Sequence, residues 1–147
     1  MDIDGRIEKM VREVLAAAVA QDVGRMESAI RFFASDEALT AGIRLTAAVG
    51  LYVLRDQFGP TPSPEAVREL AAEIAASEQW ADIDAEEVTA YIATALAETS
   101  YEEILPPDRF AVLTYVIAAS LISYFHRPHE KWWTYLDRVE AELEAAL

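Results

Sequence analysis

The chain has 147 residues, 53 % of them apolar, which suits one domain over residues 1–147 with a substantial core and no need of staples. Cysteine is absent, so disulfides and thiolate metal sites are excluded, and a reducing compartment is the natural setting. A formal charge of −14 argues against nucleic-acid binding and against anionic membranes, because phosphate contacts need Lys and Arg gathered on one face.

Every long segment repeats its apolar residues at helical period, and no run alternates strictly enough for a strand. The N-terminus, Met1-Asp2-Ile3-Asp4, is acidic where a secretory signal is basic, and no apolar run with a cleavage site follows, so a cytoplasmic protein is expected. The first helix is expected over roughly Ile3–Ala20, with Ile3, Ile7, Met10, Val11, Val14, Leu15 and Ala18 inward. A short second helix follows from about Asp22 to Ala34, burying Met26, Ile30 and Phe33. Ser35 caps a third helix that ends at Gly59, before Pro60, Pro62 and Pro64. Ser63 caps the fourth, with Pro64 at its first position and Val67, Leu70, Ala71 and Ile74 inward.

The fifth start combines two signals. Asp84 and Glu87 fit a capping box, and Ile83 and Val88 fit the hydrophobic staple. Thr99–Pro107 reads as a loop. Pro107 or Asp108 opens a sixth helix ending near Pro128. The seventh is expected from about His129 to Leu147, with Trp132, Leu136, Val139 and Leu143 inward. The uncharged run Phe110–Phe125 is shorter than the about 20 apolar residues a membrane span needs, and it contains Thr114, Tyr115, Ser120, Ser123 and Tyr124. The expected fold is therefore all-α, an irregular bundle of six or seven helices. Helices three and six, apolar nearly all round, belong at its centre.

Charge is concentrated in one stretch. Pro60 to Arg109 holds twelve Asp and Glu against Arg68 and Arg109, a net of −10. Glu65, Glu69 and Glu73 recur every four residues, a stripe of like charge on one helix face. Glu98, Glu102 and Glu103 add acid at the following loop, and Tyr101 and Trp80 are the aromatic anchors a partner would use. A solvated acidic surface that maintains solubility is the simpler reading of the same residues.

Helix three offers a different feature. Ala38, Gly42, Thr46 and Gly50 form a stripe of small residues, although an interior glycine costs about 1 kcal/mol relative to alanine. A close helix crossing explains it. A subunit contact is one alternative. Another is a ligand groove lined by Gly42, Thr46 and Gly50, with Tyr52, Tyr115, Tyr124 and Trp133.

Chemistry-bearing motifs are scarce. His126, His129 and Glu130 could in principle ligate zinc, but Pro128 interrupts the helix, and Arg127 and Lys131 oppose a cation. Asp82, Asp84, Glu86 and Glu87 lack the glycine and the distal glutamate of a calcium loop, whose positions fall on Glu87 and Ala93. No serine lies in a nucleophile elbow, and the five glycines are scattered rather than gathered in a phosphate loop. No enzyme, metal or cofactor is expected.

The stretch Glu65–Leu96, through Ser77-Glu78, Ile83-Asp84 and Glu87-Val88, resembles part of the tellurite-resistance TerB-type helical domains. Those domains use Asp-Gly turns with acidic metal ligands. Here the nearest turn is Asp56-Gln57-Phe58-Gly59, and the Asp4-Gly5 pair lies elsewhere. The resemblance covers less than a quarter of the chain and omits that motif, so it implies a helical fold and no metal site.

From these features we expect a small acidic interaction or regulatory module that binds a basic protein partner, of which an immunity or antitoxin-like inhibitor is one concrete form. A small apolar ligand held within the bundle, or a self-associating homodimer, are the alternatives.

Overall fold

The computed structural model describes residues 1–99 and 107–146. Among these the chain forms seven α-helices and no strand: α1 (Gly5–Val19), α2 (Val23–Arg31), α3 (Asp36–Phe58), α4 (Pro64–Ser77), α5 (Ala85–Ala97), α6 (Pro107–Phe125) and α7 (Trp132–Ala145). A single 3-10 turn, Gln79–Ala81, links α4 to α5.

Local chemistry sets most of the boundaries. Asp4, Asp22, Ser35 and Ser63 each accept a hydrogen bond from a backbone N–H in the first turn of the helix they precede. Asp84 Oδ1 accepts from Glu87 N at 2.8 Å, and the Glu87 carboxylate accepts from Asp84 N, completing the capping box. Gly59, at φ 80°, stops α3 and donates its N–H to Arg55 O.

The last turn departs from expectation. α6 ends at Phe125 rather than near Pro128, and α7 begins at Trp132 rather than His129. Pro128 disfavours helical backbone at Arg127. Glu130 then closes a turn, accepting from Arg127 N at 2.8 Å and from Arg138 Nη2 at 2.7 Å. The Arg127 amide and Arg138 hold the Glu130 carboxyl below its ordinary range.

α3 and α6 form the hub of the bundle. They pack most extensively on each other, and each also meets α1, α5 and α7. The small-residue stripe lies at this crossing. A Cβ on Gly42 would fall 2.8 Å from the Phe33 ring and 2.9 Å from Tyr115 Oη, and one on Gly50 would sit 3.9 Å from Ala118 Cβ. Close approach of side chains to bare backbone at Gly42 offsets the weak helix propensity of glycine there.

By length and composition alone, Asp36–Phe58 and Asp108–Phe125 could cross a membrane. In the bundle their surroundings differ. α6 buries a continuous run, residues 113–122. α3 buries Gly42, Leu45, Thr46, Val49, Gly50, Val53 and Leu54, and leaves Leu39, Ile43, Leu51 and Tyr52 half-buried. α3 is thus central in its contacts yet open along one face. α4 and α5 form a hairpin, whose outer side exposes Glu65, Glu69 and Glu73 on α4 and Glu86 on α5.

Candidate functional site

α4 is amphipathic with a sharp division. Val67, Leu70, Ala71 and Ile74 are buried, while Glu65, Arg68, Glu69 and Glu73 are exposed on the opposite side. Among the described residues, none of Glu65, Glu69 and Glu73 takes part in an ion pair. Two other acids of the stretch have a cation partner. Arg109 grips Glu87 with two hydrogen bonds, 2.7 and 3.0 Å, and donates a third to Asp82 O. Glu98 is exposed and lies 3.6 Å from Arg55 Nη2. Asp82, Asp84, Glu86 and Asp108 are exposed and, among the described residues, also outside any ion pair, and α4 carries three unpaired glutamates on a single helix face.

Between α4 and α6 lies a shallow surface dimple of about 20 Å³, open to solvent. Leu70, Ile74, Leu121 and Phe125 give it an apolar floor, Ser77 and Ser120 add hydroxyls, and Glu73 and Tyr124 form its rim. Tyr124 is 69 % exposed and leans edge-on against Phe125 at 5.0 Å. On the other flank of α4, a dent too shallow to hold a water molecule, lined by Leu54, Phe58, Pro62, Ala66, Val67 and Ile92, shares Leu70.

Glu78 lies beside the groove at the end of α4, only 6 % exposed. Its carboxylate accepts from the Trp80 indole N–H and from Gln21 Nε2, and the Ser120 hydroxyl favours its charged form. Burial pushes the Glu78 carboxyl above its ordinary range, and these three groups oppose that shift without cancelling it. Trp80 is half-buried with its N–H committed to Glu78, so it serves the junction of α4 with the 3-10 turn.

The remaining sequence-derived candidates are dispersed. Tyr101, Glu102 and Glu103 lie outside the described residues. Gly42 and Thr46 face Phe33 and Tyr115, with Thr46 Oγ1 donating to Gly42 O at 2.8 Å. Tyr115 is fully buried beside Thr46, but its hydroxyl meets no partner at hydrogen-bond geometry, and burial pushes the phenol up to about 12. Gly50 faces Ala118, Tyr52 is half-buried, and Tyr124 belongs to the α4–α6 groove. Trp133 is 46 % exposed at the start of α7, with its ring edge-on to Trp132. His126 Nδ1 pairs with Arg127 O, and His129 is exposed. Among the described residues, no three His, Asp or Glu side chains are grouped to hold a metal ion.

The chain matches no family model, no curated protein and no solved structure. Its functional reading therefore rests on these side chains alone.

Two buried carboxylates lie outside the sequence-derived sites. Glu78 is four residues beyond Ile74, and Glu140 is four beyond Leu136, so both fall on the apolar stripe of their helix. Helical position was the signal that could have found them. Glu140, 7 % exposed, meets Arg12, which reaches from α1 to Asp137 and Glu140 on α7 and also pairs with Glu8.

Proposed function

We propose that this protein is a non-enzymatic interaction module, acting in the cytoplasm, that binds a basic segment of a partner protein along α4 and its groove against α6. The supporting observation is the coincidence of uncompensated acid with an apolar recess. Among the described residues, none of Glu65, Glu69 and Glu73 forms an ion pair, even with the exposed Arg68 beside them, and Glu73 shares the rim of the groove with the exposed ring of Tyr124. A partner supplying Lys or Arg would be steered by the first and anchored by the second. Electrostatic recognition of this kind acts chiefly on association rate and partner choice. An immunity or antitoxin-like inhibitor of a basic protein is one form the module would take.

Affinity capture from the protein's own cell lysate tests the reading. Glu69→Lys/Glu73→Lys should abolish capture of a basic partner that the unmodified chain retains at low salt. Tyr124→Ala should leave the salt dependence in place and shorten the lifetime of the complex. Capture indifferent to salt and to charge reversal contradicts the proposal.

The half-open face of α3, with Leu39, Ile43 and Leu51, favours self-association as a second reading. Light scattering at increasing concentration separates the two, since a dimer through α3 would be insensitive to reversal of Glu69 and Glu73.

A further inference from the structure

The junction of α1 with α7 gathers three carboxylates around one cation. Arg12 Nη2 lies 2.6 Å from Glu8 Oε1, 2.8 Å from Asp137 Oδ1 and 2.9 Å from Glu140 Oε1, and Arg12 Nε also donates to Glu8. The solvation of the three differs. The Asp137 side chain is 62 % exposed and faces water, whereas those of Glu8 and Glu140 are 20 % and 9 % exposed. Glu8 Oε1 and Glu140 Oε1 share the one Arg12 Nη2, at 2.6 and 2.9 Å, so the two carboxylates crowd each other. Two carboxylates so placed repel unless one carries a proton.

Among the described residues, Arg12 is the only cation paired with either carboxylate. Glu8 and Arg12 face Glu140 from α1, and Asp137 faces it from α7 itself. α6 carries no carboxylate or base between Phe110 and Phe125. The polar groups α3 brings to α7 are directed elsewhere, with Asp56 and Gln57 bonded to Tyr135 Oη and Tyr52 facing Glu142. The N-terminal ammonium of Met1 donates to Leu143 O, a carbonyl on the next turn of α7.

We propose that this junction is a proton-held latch, in which Glu140 keeps its proton against the Glu8 carboxylate and loss of that proton loosens α7 from α1. Burial first, and then the Glu8 charge, raise the affinity of Glu140 for the proton, and Arg12 offsets them in part. The folded chain holds a proton that the unfolded chain releases between pH 4.5 and about 8. Stability contributed by the latch is therefore complete below that window and is lost as pH rises through it.

Carbon-13 NMR titration of the Glu140 side-chain carboxyl in the full-length chain tests the latch. The expected midpoint lies well above the ordinary carboxylate range, and Glu8→Gln, which removes the opposing charge, should move it down. A midpoint in the ordinary range, or one unmoved by Glu8→Gln, overturns the proposal. Amide exchange along α7, corrected for intrinsic rate, should accelerate as pH crosses the midpoint in the unmodified chain and not in Glu140→Gln. Equal acceleration in both chains likewise overturns it.

Discussion

Glu78 shows how far one residue can depart from its composition class. It counts toward the acidic stretch, yet it is buried and serves as acceptor for Trp80 and Gln21. Replacing it with Ala strands two donors, one of them an indole N–H. Urea denaturation should register a loss of about 1–3 kcal/mol. Glu78→Gln keeps an acceptor oxygen and removes a carboxyl whose affinity for protons is raised. The variant should lose less stability than the unmodified chain as pH rises above the ordinary carboxylate range. Tyr135 presents a similar case. Its ring is fully buried, its hydroxyl donates to Asp56 at 3.0 Å, and burial, reinforced by Asp56, pushes the phenol up to about 12. Tyr135→Phe should cost about 0.5–1.5 kcal/mol. Neither Glu78 nor Tyr135 was legible as a core residue from its type. Glu78 was legible from its place on the stripe of Val67, Leu70, Ala71 and Ile74, because helical period places residues four apart on one face.

The helices themselves were largely legible, and the reason is chemical. A helix start that needs a side-chain oxygen announces itself, as Ser35, Ser63 and Asp84 do. The α7 start does not, because Lys131 caps it without a side-chain hydrogen bond and the turn before it is closed by Glu130. Asp84→Ala should remove about 1 kcal/mol of stability, measured by chemical denaturation. The small-residue stripe divides in the same way. Its periodicity showed that something approaches α3, but not which side chain. Phe33 and Tyr115 occupy the space at Gly42, while Gly50 has only ordinary contact with Ala118. Gly42→Ala should therefore destabilise by about 1–3 kcal/mol through overpacking. Gly50→Ala should be neutral or stabilising by up to about 1 kcal/mol through helix propensity. A melting comparison of the two variants checks the asymmetry.

At the scale of the whole molecule, the acidic stretch was visible as a count and invisible as a field. Folding withdraws Glu78 into the interior, pairs Glu87 with Arg109 and brings Glu98 near Arg55. What remains unpaired on one continuous helix face is the outer stripe of α4. It borders a groove whose other wall, α6, lies about fifty residues away in sequence, so neighbours in the chain could not reveal it. The Glu65, Glu69 and Glu73 stripe costs about 0.2–0.5 kcal/mol per like-charged neighbour pair. Glu69→Lys/Glu73→Lys should consequently fold at least as stably as the unmodified chain, and circular dichroism with thermal melting checks that before any binding experiment. Quantitative capture from lysate then tests the central claim most directly, with both chains compared at low and moderate salt. A basic protein retained by the unmodified chain, released by moderate salt and absent from the charge-reversed variant is the predicted result. The same proteins retained equally by both chains at both salt levels would contradict the assignment of α4 as the binding face.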